Sequence, residues 1–253
     1  MSNMQASRPK SLASLTVEWD RLAEERDRQL AAGIDLSFTH VVAPAALRLL
    51  DGADLSLLLD IGSGTGHFAA LASANATSIV GIEPSSASVR IANRVCADIP
   101  NVRFVQTSIE EASPTVGGRL ATAAIALMVL MAAPNLESFA ASLRPLLATG
   151  SPFVAILPHP CFWPAYWEYA NAEWFDYTKE IFIEAPFSIS NAHSHIRTTH
   201  IHRPLSQYLS TFARHGFRLD VFDEPMPEPT VQAMYPSPWL FPRFAAIRWI
   251  KEA

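Results

Sequence analysis

Residues 57–72 read Leu-Leu-Leu-Asp-Ile-Gly-Ser-Gly-Thr-Gly-His-Phe-Ala-Ala-Leu-Ala. A short run of strand character enters three glycines spaced two apart, Gly62, Gly64 and Gly66, and the apolar spacing then becomes helical. A strand-to-helix turn of this kind lets backbone N–H groups approach a ligand, because glycine carries no Cβ to hold it off. Seventeen residues beyond Gly66, a second apolar run ends at Glu83. A carboxylate there accepts hydrogen bonds from both hydroxyls of a ribose in the nucleotide-binding half of a doubly wound fold. Pro84 removes a donor and fixes the turn, and Ser85 caps the next helix. The spacing is G-x-G-x-G, whereas a dinucleotide fingerprint reads G-x-G-x-x-G and aims a helix dipole at pyrophosphate.

Working outward, the predicted strands are Ser56–Ile61, Ser78–Glu83, Val102–Gln106, Ala121–Met128, Pro152–Leu157, Phe217–Asp223 and Phe244–Ile250, with helical segments between the first five. Those five are nearly continuous apolar runs, as expected of parallel strands covered on both faces by crossover helices. The fold class is therefore α/β, a doubly wound seven-stranded sheet. Ahead of it, Trp19, Leu22, Ala23, Arg26 and Leu30 recur at helical spacing, with Thr16 as N-cap and Gly33 as stop. One domain over 1–253 is expected: an N-terminal helical cap (1–55), the ligand-binding core (56–160), an insertion (161–204) and C-terminal strands (205–253). The insertion carries nine aromatic residues between Cys161 and Phe182 and then four histidines. It follows a C-terminal strand end and so sits over the ligand crevice, either as a lid of helices or as an added hairpin.

The chain has 253 residues, 49% of them hydrophobic, and a formal charge of −5 without a Lys/Arg block. That length supports a well-buried core, and that charge disfavours a nucleic-acid partner. Its longest apolar stretch, Leu120 to Ala133, is too short to span a bilayer, which takes roughly 20 residues. The first fifteen residues lack the apolar segment of a secretory signal, and the two cysteines, Cys96 and Cys161, lie far apart, so a cytoplasmic setting without disulfides is the expectation.

The sequence resembles the class I S-adenosylmethionine-dependent methyltransferases, a Rossmann-like family. LLLDIGSGTGHFAALA is similar to the family's first motif, IVGIEPSSASVRIA to its second and VRFVQTSIEE to its third. ALMVLMAAPNLESFAASLRPLLATG is similar to its fourth strand, the following helix and the turn before strand five. The resemblance implies the cofactor S-adenosylmethionine and the product S-adenosylhomocysteine. It implies that Gly62, Ser63 and Gly64 line the methionine end, that Asp60 organises the loop and the amino group, and that Glu83 holds the ribose. Gly66 and Pro84 belong to the same cofactor-binding set. Ser108 stands where many relatives place an aspartate toward the adenine amino group, with Ile109 supplying the neighbouring N–H. Ser108 and Glu111 also read as an S-x-x-E capping box. Met128 is expected near the transferable methyl or as core filling.

Methyl transfer from a sulfonium needs in-line placement in a dry site and no metal. A general base helps when the acceptor is a hydroxyl. His159, leaving the fifth strand, is the first candidate or else a packing histidine, and His40 is the second. Phe38, Trp163, Tyr166, Trp167 and Tyr177 are expected to wall a pocket for a flat, apolar acceptor. The pairs His193/His195 and His200/His202 invite a zinc reading, but solvated strand histidines are the better expectation. The reading is transfer of a methyl to oxygen or nitrogen of a small aromatic or apolar metabolite, as in quinone and secondary-metabolite pathways, without nucleic acid or membrane partners. The alternatives are an NAD(P)-dependent oxidoreductase and a non-catalytic cofactor-binding regulator.

Overall fold

The computed structural model describes residues 4–113, 116 and 118–253. In chain order the strands are β1 (Gln5–Ser7), β2 (Leu58–Ile61), β3 (Ile79–Glu83), β4 (Val102–Gln106), β5 (Ala123–Leu127), β6 (Pro152–Pro158), β7 (Ile181–Ile189), β8 (Ala192–His202), β9 (Phe217–Asp223) and β10 (Phe244–Lys251). The helices are α1 (Leu12–Ala31), α2 (Ala43–Leu50), α3 (His67–Ala72), α4 (Ser86–Val95), α5 (Leu136–Leu143), α6 (Trp163–Tyr166), α7 (Leu205–Arg214) and α8 (Pro229–Gln232). A π-helical turn, Phe38–Val42, leads into α2.

Seven strands form one sheet in the order β4-β3-β2-β5-β6-β10-β9. β2 through β6 pair in parallel, and β10 runs antiparallel to both its neighbours. Strands buried on both faces carry apolar residues toward both, which is why β2, β3 and β6 are almost wholly apolar, with Asp60 and Glu83 the acidic exceptions toward the C-terminal ends of β2 and β3. One face packs on α5 and α7 through a cluster of Phe139, Phe153, Phe212 and Trp249, with the Phe153 and Trp249 rings stacked at 5.6 Å. The other face packs on α2 and α3 through Leu58, Ile79, Ile125 and Phe68. Each such side chain contributes roughly 1.5–3 kcal/mol of burial. The order reverses at β2 and β5, which opens a crevice at their C-terminal ends.

All seven core strands lie where the sequence places them, to within a few residues at their ends. Three local expectations change. Ser11, not Thr16, caps α1, accepting the Ser14 N–H at 3.2 Å, while the Thr16 hydroxyl donates to the Leu12 carbonyl inside the helix. Ser108 accepts the Glu111 N–H at 3.3 Å but opens only a turn, and no helix stands between β4 and β5 among the described residues. Pro114, Thr115 and Gly117 of that connection lie outside the described residues, as do residues 1–3 of the N-terminal cap.

The insertion is a short helix, α6, followed by the β7–β8 hairpin. That hairpin accepts β1 as a third antiparallel strand, giving a second sheet ordered β1-β7-β8. Lys10 ties it to α1: its ammonium reaches Glu18 at 2.6 Å, Glu184 at 2.7 Å and the Thr199 hydroxyl at 2.8 Å. Burial disfavours the charged ammonium, but the two carboxylates outweigh it and raise the Lys10 pKa. Among the described residues, no helix is long and apolar enough to cross a membrane.

Candidate active site

The crevice is a cavity of about 350 Å³, roofed by the β7–β8 hairpin and α1. Its inner half is built by the glycine loop. Gly62 leaves β2 at φ +65° and donates to the Ile82 carbonyl at 2.7 Å. A Cβ on Gly62 would stand 2.4 Å from Val129 Cγ2, so any other residue forces Val129 to shift and strains a positive φ. The Gly64 N–H donates to Glu83 Oε2 at 2.9 Å, and the Ser85 N–H donates to Oε1 at 2.8 Å. Both carboxylate oxygens are thereby fixed at the cavity wall, each with a lone pair to spare. From the other side, Asp20 of α1 accepts the Ser85 hydroxyl at 2.6 Å and the Ala87 N–H at 3.0 Å, clamping α1 onto the start of α4.

Asp60 is 2% exposed, and its Oδ2 has no hydrogen-bond partner; neither has the buried hydroxyl of Ser63 beside it. Buried polar atoms are ordinarily satisfied, so this pair marks where a ligand completes the bonding. Burial, and then the nearby Glu83 charge, push the Asp60 carboxyl up to about 7. Burial raises Glu83 as well, against the two backbone donors that favour its charge. Two desolvated carboxylates at one loop favour a cation and repel a pyrophosphate.

Pro84, Ser108 and Ile109 also line the cavity. Met128 lines it with φ +60°, a left-handed conformation rare for a non-glycine residue, held by its N–H on the Ile156 carbonyl at 2.7 Å. Gly66 does not line it. Its φ of +81° and the 3.0 Å approach of Ala92 and Phe104 to a built Cβ make it a packing glycine between α3, α4 and β4.

The outer half is aromatic. Phe38, Trp163, Tyr166 and Trp167 line it, and Trp167 Nε1 is a buried donor without an acceptor. Tyr177 stands outside, donating or accepting at Cys161 Sγ and receiving the Leu205 N–H at 3.1 Å. His159, the first candidate for a general base, does not line the cavity. His159 is 2% exposed and off the cavity, with one ring nitrogen on Glu224 at 2.8 Å and the other accepting the Cys161 N–H at 3.2 Å. Burial lowers its pKa, partly offset by Glu224. His40 is exposed on the π-helical turn and does not line the cavity either.

The histidines that do line the cavity are ones the base assignment passed over. His67 opens α3, with Nδ1 at 3.0 Å from the Thr65 hydroxyl. His200 on β8 faces the outer half, 3.4 Å from the Tyr169 hydroxyl, and burial pushes its pKa down to about 4. Alternation along β8 leaves His193 and His195 exposed and buries His202 on the Tyr177 carbonyl at 3.0 Å, so solvation describes only the first pair. No group of three or more metal-ligating side chains occurs among the described residues.

Arg243, at the foot of β10, was silent in the sequence. Its side chain is 4% exposed at the cavity wall, with Tyr166, Trp239 and Tyr235 ring centroids at 3.8, 4.3 and 5.5 Å from the guanidinium carbon.

The fold and this site define a class I S-adenosylmethionine-dependent methyltransferase, and comparison with known proteins agrees. A model of the methyltransferase domain matches residues 22–220, and the chain belongs to that family. The fold is shared with an S-adenosylmethionine-dependent methyltransferase from Clostridium acetobutylicum, at 9% identity and a TM-score of 0.63, over 93% of this chain and 99% of that one. The S-adenosylhomocysteine complex of DhpI gives 19% identity and 0.62 over 95% and 97%. The N-methyltransferase NodS from Bradyrhizobium japonicum gives 12% and 0.55 over 83% and 94%. Comparison with curated proteins gives no match.

Proposed function

We propose that this methyltransferase acts on an oxygen or nitrogen of a small, flat, largely apolar metabolite held in the outer half of the cavity. The observation that carries the reading is continuity: one cavity joins the Asp60–Glu83 pair to the wall of Phe38, Trp163, Tyr166 and Trp167. We assign cofactor binding to Asp60, Gly62, Ser63, Gly64, Glu83, Pro84, Ser108, Ile109 and Met128. Bound S-adenosylmethionine supplies an activated methyl on a sulfonium, so no covalent enzyme intermediate is needed.

The chain's own contribution is placement and exclusion of water. Asp60 and Glu83 fix the cationic and ribose ends, the aromatic wall orients a planar acceptor, and the β7–β8 hairpin with α1 closes the site as a cover. His200 stays neutral above about pH 4 and can take a proton, but so low a pKa makes it a weak base. Rate therefore rests on positioning and on the acidity of the acceptor itself.

The test is a panel of hydroxylated and aminated aromatic compounds incubated with deuteromethyl-labelled S-adenosylmethionine and read by mass spectrometry, with calorimetry against S-adenosylhomocysteine and NADH. Labelled methyl on a flat O- or N-nucleophile, with binding of the sulfur ligand only, is expected. Methylation confined to protein or nucleic-acid substrates sinks the reading.

A further inference from the structure

Arg243 brings a buried positive charge and a set of donors to the cavity wall. A guanidinium is always protonated and offers five N–H groups in one plane. Held over the Tyr166 and Trp239 rings, the guanidinium keeps N–H groups for an in-plane acceptor. No carboxylate lies within 4.0 Å of Arg243 among the described residues, whereas the cavity's other arginine, Arg26, is paired with Asp35 at 2.9 Å. A cation so deeply buried without a counter-charge is costly in an empty pocket and becomes favourable when the ligand brings one. Trp167 lines the same cavity, and its buried indole N–H lacks an acceptor.

We propose that the acceptor carries a carboxylate, which docks on the edge of Arg243 with Trp167 Nε1–H as a second donor, while its planar body lies against the aromatic wall. The inference rests on the methyltransferase reading and refines its substrate class. It specifies one negative charge: Arg243 is the one uncommitted arginine or lysine among the described residues lining the cavity, and His200 is neutral at physiological pH. A phosphate, with close to two charges, is a poorer match. The anion also explains how the two halves remain distinct. The carboxylate pair repels it from the cofactor end, so charge alone orients the acceptor with its anionic end away from Asp60 and Glu83.

The experiment titrates the full-length protein, saturated with S-adenosylhomocysteine, with 2-naphthoate, 2-naphthamide and 2-naphthyl phosphate, following quenching of tryptophan fluorescence. Naphthoate is expected to bind at least about tenfold tighter than the isosteric amide, the range for a charge-assisted pair, and tighter than the phosphate. In Arg243→Gln the preference for carboxylate over amide should fall to about twofold or less, and Arg243→Lys should recover only part of it. Unchanged S-adenosylhomocysteine affinity in both variants shows that they are folded. The wild-type probe comparison needs no variant, so it stands even if Arg243→Gln fails to fold. Equal binding of acid and amide, tighter binding of the phosphate, or no naphthoate binding in a protein that binds S-adenosylhomocysteine overturns the carboxylate inference alone. Failure to bind S-adenosylhomocysteine overturns the functional reading beneath it.

Discussion

The inner and outer halves of the cavity are built in opposite ways. The inner half comes chiefly from one stretch, Asp60 to Ser85, where two parallel strands and two tight turns deliver carboxylates, glycines and N–H donors in fixed register. Its charge is negative and its donors point at its own acid. The outer half draws Phe38 from the N-terminal segment, Trp163 and Trp167 from the insertion, His200 from the hairpin and Arg243 from the residue before the last strand. Its charge is positive and its surface aromatic. A half made by local chain geometry suits a ligand shared by a whole family. A half assembled from distant segments is free to change acceptor without disturbing the loop.

The largest effect should come from Gly62→Ala. The Cβ clash with Val129 and the positive φ together cost about 2–4 kcal/mol of stability, read by urea denaturation, and the variant should lose cofactor affinity as well. A silent Gly62→Ala would mean that the loop does not depend on this close passage, and the inner half would lose its claim to rigidity.

Next, Glu83→Ala should weaken S-adenosylhomocysteine binding by roughly 1.5–3 kcal/mol in calorimetry, the range for hydrogen bonds to a charged group. The matching outer-half change, Trp163→Ala, should leave that affinity within about threefold and raise the acceptor KM instead. Equal losses from both would erase the division between the halves.

The Asp60 carboxyl makes the inner half respond to pH. Its folded pKa, near 7, lies above that of an unfolded aspartate, so the folded state holds the extra proton between about pH 4 and 7. The Asp60 contribution to stability therefore declines as pH rises through that window. Asp60→Asn should remove this decline and make the cofactor-free protein about 1–2 kcal/mol more stable than wild type at pH 8, while impairing cofactor binding. In wild type, cofactor affinity should increase from pH 5.5 to 8 as the carboxylate ionises. A flat affinity profile would take Asp60 out of cation binding.

The smallest expected effect is that of His159→Ala. Loss of the Glu224 and Cys161 contacts should cost about 1 kcal/mol in thermal or urea unfolding and change kcat less than about threefold. A hundredfold loss of kcat with cofactor affinity intact would restore His159 as the base and require the loop after β6 to rearrange toward the cavity.

The difference between the halves is also the difference in what could be read from residue order. Asp60, the glycine loop and Glu83 lie on adjacent parallel strands, where the residue at a strand's C-terminal end has its place set by the strand itself. Spacing therefore predicted contact. His159 met the same strand-end criterion and was misplaced, because a strand fixes where a residue leaves the sheet but not which way its side chain turns. Glu224, 65 residues away, turns it from the crevice. Gly66 shared the loop's rhythm but answered to Ala92 and Phe104 on neighbouring elements.

Residue order alone carries the seven core strands and the family, because apolar periodicity and tight turns are short-range consequences of residue type. Only the tertiary structure decided that the insertion is a hairpin sharing a sheet with β1. It likewise decided that His200 rather than His159 faces the cavity, and that Arg243 lies between Tyr166 and Trp239 without a carboxylate partner. Those outcomes depend on side chains separated by tens to hundreds of positions competing for one enclosed space, and burial, which assigns their charges and partners, exists only once the chain has closed around it.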